Sequence, residues 1–88
     1  MSSDNSKKII TAKQCKAARA FLNWSQQELA ENVRVVQKTI TDFERNARVP
    51  QRRTAEDIKT ILEKAGIEFI NDDKGQGAKL LNKLDNNK

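Results

Sequence analysis

The sequence predicts a mainly α-helical domain that ends in a short β-strand or hairpin. Apolar residues recur at spacings of three and four between residues 11 and 65, and pairs of capping residues mark helix starts. After residue 66 the pattern changes to short apolar runs on either side of a turn rich in Asp, Asn and Gly. The chain has 88 residues, of which 36% are hydrophobic and 5% aromatic, so it can build one compact core. We therefore expect four to five helices and no second domain.

The first predicted helix begins at Thr11 and runs to about Leu22. Thr11 and Gln14 have the spacing of a capping box, in which each side chain binds a backbone amide of the first turn. Cys15, Ala18 and Leu22 form its inner stripe, which makes Cys15 a small buried hydrophobe. The alternative for Cys15, a redox-sensing thiol, requires an exposed and activated sulfur.

Residues 25–45 predict two short helices joined by a tight turn. Ser25 and Glu28 form a second capping box at the start of the first of these helices. In the second helix Val36, Ile40 and Phe43 share one face, at spacings of four and three. The opposite face is polar and carries Gln37, Lys38, Thr41, Asp42 and Arg45. A short helix with an apolar back and a polar front can reach base edges in a major groove.

The remaining pattern predicts a loop, a fourth helix and a strand or hairpin. Pro50 disfavours helix within residues 46–53, and Thr54 with Asp57 is a third capping candidate. The inner face of this helix comprises Ile58, Ile61, Leu62 and Ala65, and Gly66 ends it. Residues 67–70 and 78–81 are the strand candidates. The expected organisation is a disordered tail (1–9), a helical domain (10–66), a short strand or hairpin that is a candidate dimerisation element (67–81), and a polar tail (82–88).

Composition narrows the function classes. The net charge is +5, and residues 34–53 contain six basic residues against two acidic ones, so the positive charge is concentrated there. No apolar run is long enough for a membrane span, and no signal core is evident, so we expect a cytoplasmic protein. With no histidine and one cysteine, neither a structural zinc site nor an internal disulfide is expected. We expect no enzyme activity, catalytic residues or cofactors, because there is no histidine, Gly-rich phosphate loop or evident carboxylate pair.

The stretch LAENVRVVQKTITDFERNARVP resembles the helix-turn-helix of the Cro/repressor family, the xenobiotic-response-element type. The flanking sequence is also similar to small members of that family, so the resemblance covers roughly residues 9–81. It implies a repressor-like DNA-binding domain whose recognition helix spans residues 36–45. It further implies a homodimer that binds a two-fold operator on double-stranded DNA and regulates transcription.

The resemblance also implies the DNA-contacting residues. Base contacts fall on Gln37, Lys38, Thr41 and Asp42. Backbone contacts fall on Ser25, Gln26, Thr39, Arg45, Asn46 and Arg48. The alternative for the last three is a basic loop that is merely solvated. Chemically, Gln37 can bind adenine N6 and N7, and Lys38 can donate to guanine O6 and N7. Asp42 either accepts from cytosine N4 or adenine N6, or pairs with Lys38 at spacing i, i+4; the sequence leaves both open.

Two residues depart from the family pattern. Arg34 stands where a glycine is usual, in a turn that commonly needs positive φ, and Val36 stands where Ser or Thr usually caps the recognition helix. Arg34 can compensate by contacting phosphate, which adds it to the expected backbone contacts. The resemblance and the charge pattern also predict a partly buried ion pair between Arg19 and Glu44.

Alternatives remain at the sequence level. The chain can be the antitoxin of a toxin–antitoxin pair, with its tail covering a toxin, or an adapter that uses the same fold to bind a protein and never DNA. Residues 67–81 can pair within the chain or across a dimer. We expect Phe69 at or near a two-fold interface; the alternative is that the hairpin only covers the core of its own monomer.

Overall fold

A computed structural model describes residues 10–82, which form four helices followed by an antiparallel hairpin. The elements are α1 (Ala12–Leu22), α2 (Gln26–Val33), α3 (Gln37–Glu44), α4 (Arg52–Lys64), β1 (Ile67–Asp72) and β2 (Gly75–Leu80). The predicted mainly α fold with a C-terminal hairpin is confirmed, with four helices in the part of the chain described. The predicted tail 1–9 and residues 83–88 of the polar tail lie outside the described residues.

The core gathers apolar residues from all four helices and from the first strand. Its largest inaccessible side chains belong to α2, α3, α4 and β1: Leu29, Ile40, Ile58, Leu62 and Ile67. The predicted stripe of α1 reaches this cluster through Cys15 and Ala18, while Leu22 is only partly buried against it. Each large side chain removed from water in this way contributes about 1.5–3 kcal/mol, which is the main stabilising term for so small a domain.

Helix starts follow the predicted capping boxes at α1 and α2 but not at α4. The Thr11–Gln14 and Ser25–Glu28 boxes are both present with reciprocal hydrogen bonds. The expected Thr54–Asp57 cap is wrong, because α4 begins at Arg52 after Gln51, which makes no side-chain cap bond. The first helical hydrogen bond of α4 runs from the Ala55 amide to the Gln51 carbonyl oxygen at 3.0 Å, and Ala55 is buried at 2% exposed.

The end of α4 and the start of the hairpin follow the sequence closely. Ile58 and Leu62 are buried as expected, whereas Ile61 and Ala65 are only partly buried. Gly66 has φ 113°, a conformation that side-chain-bearing residues rarely adopt, so it ends the helix and turns the chain into β1.

The hairpin is longer and its turn tighter than the sequence predicts. Ile67 pairs with Leu80 and Asp72 with Gly75, which leaves only residues 73–74 as the turn. The Asp72 carboxylate accepts from the amides of Lys74 (2.9 Å) and Gly75 (3.1 Å) and so holds this turn closed. Residues that read as a turn by composition therefore extend the ladder.

The hairpin packs on its own monomer. The buried Gln14 side chain donates from Nε2 to the carbonyl oxygens of Ile70 (3.2 Å) and Gly77 (2.9 Å), one on each strand. Phe69 and Ala78, which face each other across the strands, pack partly buried against the core. The two strands thus pair within the chain, and Phe69 contacts its own core. The expectation that Phe69 lies at an interface has no support from this packing.

Within residues 10–82, no helix combines the length and apolar character needed to cross a bilayer. The same residues contain no cluster of three or more His, Cys, Asp or Glu side chains placed to hold a metal ion.

Candidate nucleic-acid interface

A tight turn joins α2 to α3 and sets the angle between them. Arg34 adopts the left-handed conformation (φ 70°, ψ 44°), so the position does require the positive φ that a glycine would supply without strain. Its amide and that of Val35 both bond to the Ala30 carbonyl, at 2.8 and 3.0 Å. Val36 occupies the N-cap of α3 and, as expected, provides no side-chain cap bond. It is 68% exposed.

The two faces of α3 are divided as the sequence predicts except at Val36. It was expected on the apolar face of a helix spanning residues 36–45, but it is exposed at the N-cap of a helix that spans Gln37–Glu44. Ile40 and Phe43 enter the core, while Gln37 and Lys38 are exposed on the opposite side. Thr41 lies on the same polar face but is partly buried, because it touches α2. The apolar face of α3 is therefore buried in the core, and its polar face lies at the protein surface.

Lys38 and Asp42 form the i, i+4 ion pair that the sequence left as one of two options. Lys38 Nζ lies 3.1 Å from Asp42 Oδ2, and the side chains are 78% and 13% exposed. The exposed ammonium is free to exchange partners at little cost, since surface pairs of this kind contribute about 0.3–0.5 kcal/mol. Whether either residue contacts a base stays a prediction.

Glu44, the last residue of α3, makes the expected ion pair with Arg19 of α1. Arg19 Nε donates to Glu44 Oε2 and Arg19 Nη2 to Glu44 Oε1, both at 2.8 Å. The Glu44 side chain is 2% exposed and that of Arg19 19%. Arg19 Nη1 also donates to the Trp24 carbonyl oxygen at 2.8 Å, so this guanidinium ties α1 to α3 and to the loop before α2.

Two further donors complete the surroundings of the carboxylate. The Cys15 thiol donates to Glu44 Oε2 at 3.2 Å, and Gln26 Nε2 donates to Glu44 Oε1 at 3.1 Å. Burial raises the pKa of Glu44, but the hydrogen bonds from Arg19, Gln26 and Cys15 outweigh that effect, and the net shift is downward. Burial, followed by the nearby Glu44 charge, raises the pKa of the Cys15 thiol well above its ordinary value. A buried, fully protonated thiol lacks what a redox sensor needs.

Gln26 connects this buried carboxylate to the polar face of α3, a role that the sequence did not indicate. Its Oε1 accepts from Thr41 Oγ1 at 2.7 Å and from Gln37 Nε2 at 3.5 Å. Its side chain is therefore engaged within the protein, and the expected contact of Gln26 with phosphate stays a prediction. Ser25 is likewise engaged, since its backbone amide and hydroxyl form the capping box with Glu28. No sequence pattern could have indicated this role, because Gln26 and Thr41 are 15 residues apart and helix spacing rules relate residues three or four apart.

A group of basic side chains surrounds the exposed face of α3. Arg34 precedes the helix, while Arg45 and Arg48 follow it, and all three are exposed. Among the described residues, none of the three has a carboxylate within ion-pair distance. Asn46 adopts φ 59° and turns the chain between the latter two. We call Arg34, Arg45 and Arg48 the arginine flank.

A shallow groove runs between the first turn of α3 and the loop that follows the helix. It has a volume of about 180 Å³ and is lined by Val36, Lys38, Thr39, Asp42, Arg48 and Pro50. Thr39 and Arg48 thus meet in one concave surface, although nine positions separate them in the chain. Both are expected backbone contacts, and a phosphate contact at this groove stays a prediction.

The described residues form a small, mainly α-helical domain with a C-terminal hairpin, and arginines flank the polar face of α3. No family model matches the chain, and a search of curated proteins found no significant match. Function therefore rests on the residues and the geometry described above.

Proposed function

We propose that this protein is a sequence-specific DNA-binding transcriptional regulator of the Cro/repressor type. In this proposal α2 and α3 act as a helix-turn-helix, and α3 enters the major groove as the recognition helix. Gln37, Lys38, Thr41 and Asp42 face the bases, and the arginine flank contacts phosphates with Thr39 and Asn46 beside it.

The observation that supports this most directly is the combination of a polar α3 face with arginines at both ends of the helix that have no carboxylate partner among the described residues. Phosphate contacts need cations that are not already neutralised, and Arg34, Arg45 and Arg48 meet that condition among the described residues. Base reading needs amide, hydroxyl and ammonium groups on an exposed helix face, and α3 supplies each of them. Anchoring by Ile40 and Phe43 keeps that face rigid.

The proposed regulator acts as a homodimer on a two-fold operator. A single short recognition helix touches too few base pairs to specify a site, so a second copy is needed. Leu80 and Leu81, at the end of β2, are 43% and 41% exposed and offer apolar surface for this contact. By occupying a promoter, such a dimer would repress transcription.

The dependence of affinity on salt tests DNA binding. We expect the logarithm of the association constant to fall with the logarithm of salt concentration by about 0.9 for each phosphate contacted. Three arginines from each of two protomers therefore give a slope of about −5. Arg48→Ala should make the slope shallower by about 2, whereas Arg52→Ala should not change it, because Arg52 already pairs with Glu56.

A flat salt dependence would contradict the proposal and favour the protein-binding adapter. Co-purification with a second small chain would favour the antitoxin alternative, in which the same domain also binds its own promoter. Selection of bound duplexes from a random pool would then report the half-site sequence and spacing, and spacing near one helical turn would support the two-fold dimer.

A further inference from the structure

We infer that Thr41 reads the major groove as a hydrogen-bond acceptor, because the buried Glu44 carboxylate fixes the direction of the hydrogen bonds that pass through Gln26. The inference rests on the proposed DNA binding and names the class of base that one position of the site prefers. It assigns Gln26 as a positioning residue, since Gln26 acts on the DNA through Thr41.

The direction of the hydrogen bonds begins at Glu44. An ionised carboxylate has no proton to donate, and the bidentate contact with Arg19 keeps it ionised. The group that Gln26 turns toward it must therefore be the amide NH₂, at 3.1 Å. The opposite orientation of the amide would set its carbonyl oxygen against the carboxylate with no proton between them.

Once that orientation is fixed, Gln26 offers only its carbonyl oxygen to α3. Thr41 Oγ1 lies 2.7 Å from this oxygen, so the threonine hydroxyl is the donor. A hydroxyl has one proton and two lone pairs, and its one proton is used here. The remaining hydrogen-bonding capacity of Thr41 consists of acceptor lone pairs.

Gln37 is not constrained in the same way. Its Nε2 also approaches the Gln26 oxygen, but at 3.5 Å, and the amide has a second N–H and a free carbonyl oxygen. It can still act toward a base as donor and acceptor together. Thr41 is therefore the one residue of the expected reading face whose polarity this network sets.

The consequence for recognition follows from the chemistry of the groove edges. In the major groove the amino groups of adenine (N6) and cytosine (N4) donate, whereas guanine O6 and thymine O4 accept. An acceptor-only Thr41 favours adenine or cytosine at the base it faces. It disfavours guanine and thymine, because two acceptors would then meet.

The experiment is selection of bound duplexes from a random pool, followed by affinity measurement on single-base variants of the selected site. Thr41→Val identifies the position that Thr41 reads, since it removes the hydroxyl and keeps the shape. At that position the wild-type protein should prefer adenine or cytosine by about fivefold or more. Gln26→Met should free the hydroxyl proton of Thr41, so that guanine and thymine are bound about as well as adenine and cytosine at this position.

Gln27→Met is the matched control. Gln27 neighbours Gln26 on α2, but its side chain pairs with Glu31 on the exposed surface, so this variant should keep the wild-type preference. Gln26→Ala is a second variant that also removes the acceptor, in case the methionine side chain repacks. Thr41→Ser, which keeps the hydroxyl, should also keep the preference.

Three results would overturn the inference. The wild-type protein could prefer guanine or thymine at the position that Thr41→Val disturbs, or Thr41→Val could disturb no position. In the third, Gln26→Met and Gln26→Ala would show the same base preference as the wild type. Wild-type protein that binds no duplex in a salt-dependent manner would instead overturn the proposed function, and the inference with it. Failure of the inference and failure of the proposed function are distinguishable, because the three results above can be observed only when the wild-type protein binds DNA tightly and in a salt-dependent manner.

Discussion

Glu44 carries its charge at a position that is 3% exposed, and its neighbours explain how it does so. Arg19 satisfies both carboxylate oxygens, and Gln26 and Cys15 add one hydrogen bond each. A buried charge is tolerated only when it is paired and its remaining lone pairs are satisfied. The buried side-chain nitrogen and oxygen atoms of the described residues all have hydrogen-bond partners.

Removing one member of this ion pair should be strongly destabilising. We expect Glu44→Leu or Arg19→Met to lower the free energy of unfolding by about 3–5 kcal/mol, because each leaves an unpaired charge in a largely buried site. The double variant should recover part of that loss. Urea denaturation measures all three. Arg52→Ala, which breaks the exposed pair with Glu56, is the control and should change stability by less than about 1 kcal/mol. A Glu44 variant as mild as this control would contradict the interpretation.

Stability should also depend on pH through Glu44. Its pKa in the folded protein lies below the ordinary value of 4.5, so the folded state favours the ionised form. This contribution is fully present above about pH 4.5 and is lost as the pH falls through the lowered folded pKa. Glu44→Gln should therefore flatten the decline in unfolding free energy on the acid side, measured by denaturation at several pH values. An equally steep decline in this variant would assign the acid sensitivity to other carboxylates.

Two residues of the proposed interface should separate base reading from phosphate binding. Gln37→Ala should remove about 1–3 kcal/mol of discrimination between preferred and altered sites, because Gln37 is exposed on the outer face of α3. Arg45→Ala should weaken binding to every sequence alike, because a phosphate contact carries no base information. Affinities on one preferred duplex and its single-base variants measure both effects. A sequence-selective loss in Arg45→Ala would show that the two helix faces are wrongly assigned.

At the scale of the element, the turn between α2 and α3 holds an arginine where the backbone favours glycine. Arg34 has φ 70°, a conformation that costs an L-residue about 1–2 kcal/mol. Val36, next to it, leaves the N-terminus of α3 without a side-chain cap. The turn is thus less stable than one with a glycine at position 34 and a side-chain cap at position 36. Arg34, however, adds a positive charge to the proposed interface.

Arg34→Gly should therefore stabilise the fold and weaken DNA binding at the same time. Relief of the backbone strain exceeds the extra chain entropy of glycine, and we expect a gain of about 1 kcal/mol in thermal or urea unfolding. Affinity should fall equally for all sequences, with a shallower salt slope. Asn23→Gly is the control. Asn23 has φ 64° at the end of α1, but asparagine tolerates this conformation, so the changes in stability and in DNA affinity should both be small. Loss of stability in Arg34→Gly would mean that the arginine side chain supports the turn.

For the molecule as a whole, the main role of the hairpin is to cover the hydrophobic core of its own chain. Ile67 is 2% exposed, and Gln14 binds both strands, so the hairpin is part of the folded monomer. Deletion of residues 67–88 would therefore uncover the core and cannot report on dimerisation alone. The apolar surface that the hairpin leaves exposed is at its end, in Leu80 and Leu81.

Charging this surface should separate the proposed dimer. We expect Leu80→Glu and Leu81→Glu to shift the mass in sedimentation equilibrium from twice the chain mass to the monomer value of 10.0 kDa. A carboxylate without a partner opposes burial at an apolar contact. Val49→Glu is the control, because Val49 is 89% exposed in the loop after α3 and should leave the mass unchanged. Dimers that persist in both leucine variants would place the interface elsewhere, with α4 the next candidate.

Interactions between residues that lie close together along the chain could be predicted from the sequence. The capping boxes at Thr11 and Ser25 join residues three apart, and the apolar faces of α1 and α3 follow from helical periodicity. The positive φ at Arg34 was also expected from the family resemblance. The ion pair between Arg19 and Glu44, though distant in sequence, was expected from that resemblance and from the charge pattern.

Tertiary packing alone decided the rest. Gln26 binds Thr41 across 15 positions, and Gln14 binds Gly77 across 63, so no local pattern could reveal either contact. The start of α4 also departs from the local pattern, since the helix begins at Arg52, before the capping candidate Thr54. Local rules describe interactions within one or two turns, whereas the partners of a buried polar group are chosen by how whole elements pack. The polarity of Thr41 depends on that packing, because it is set by a carboxylate that Thr41 does not touch.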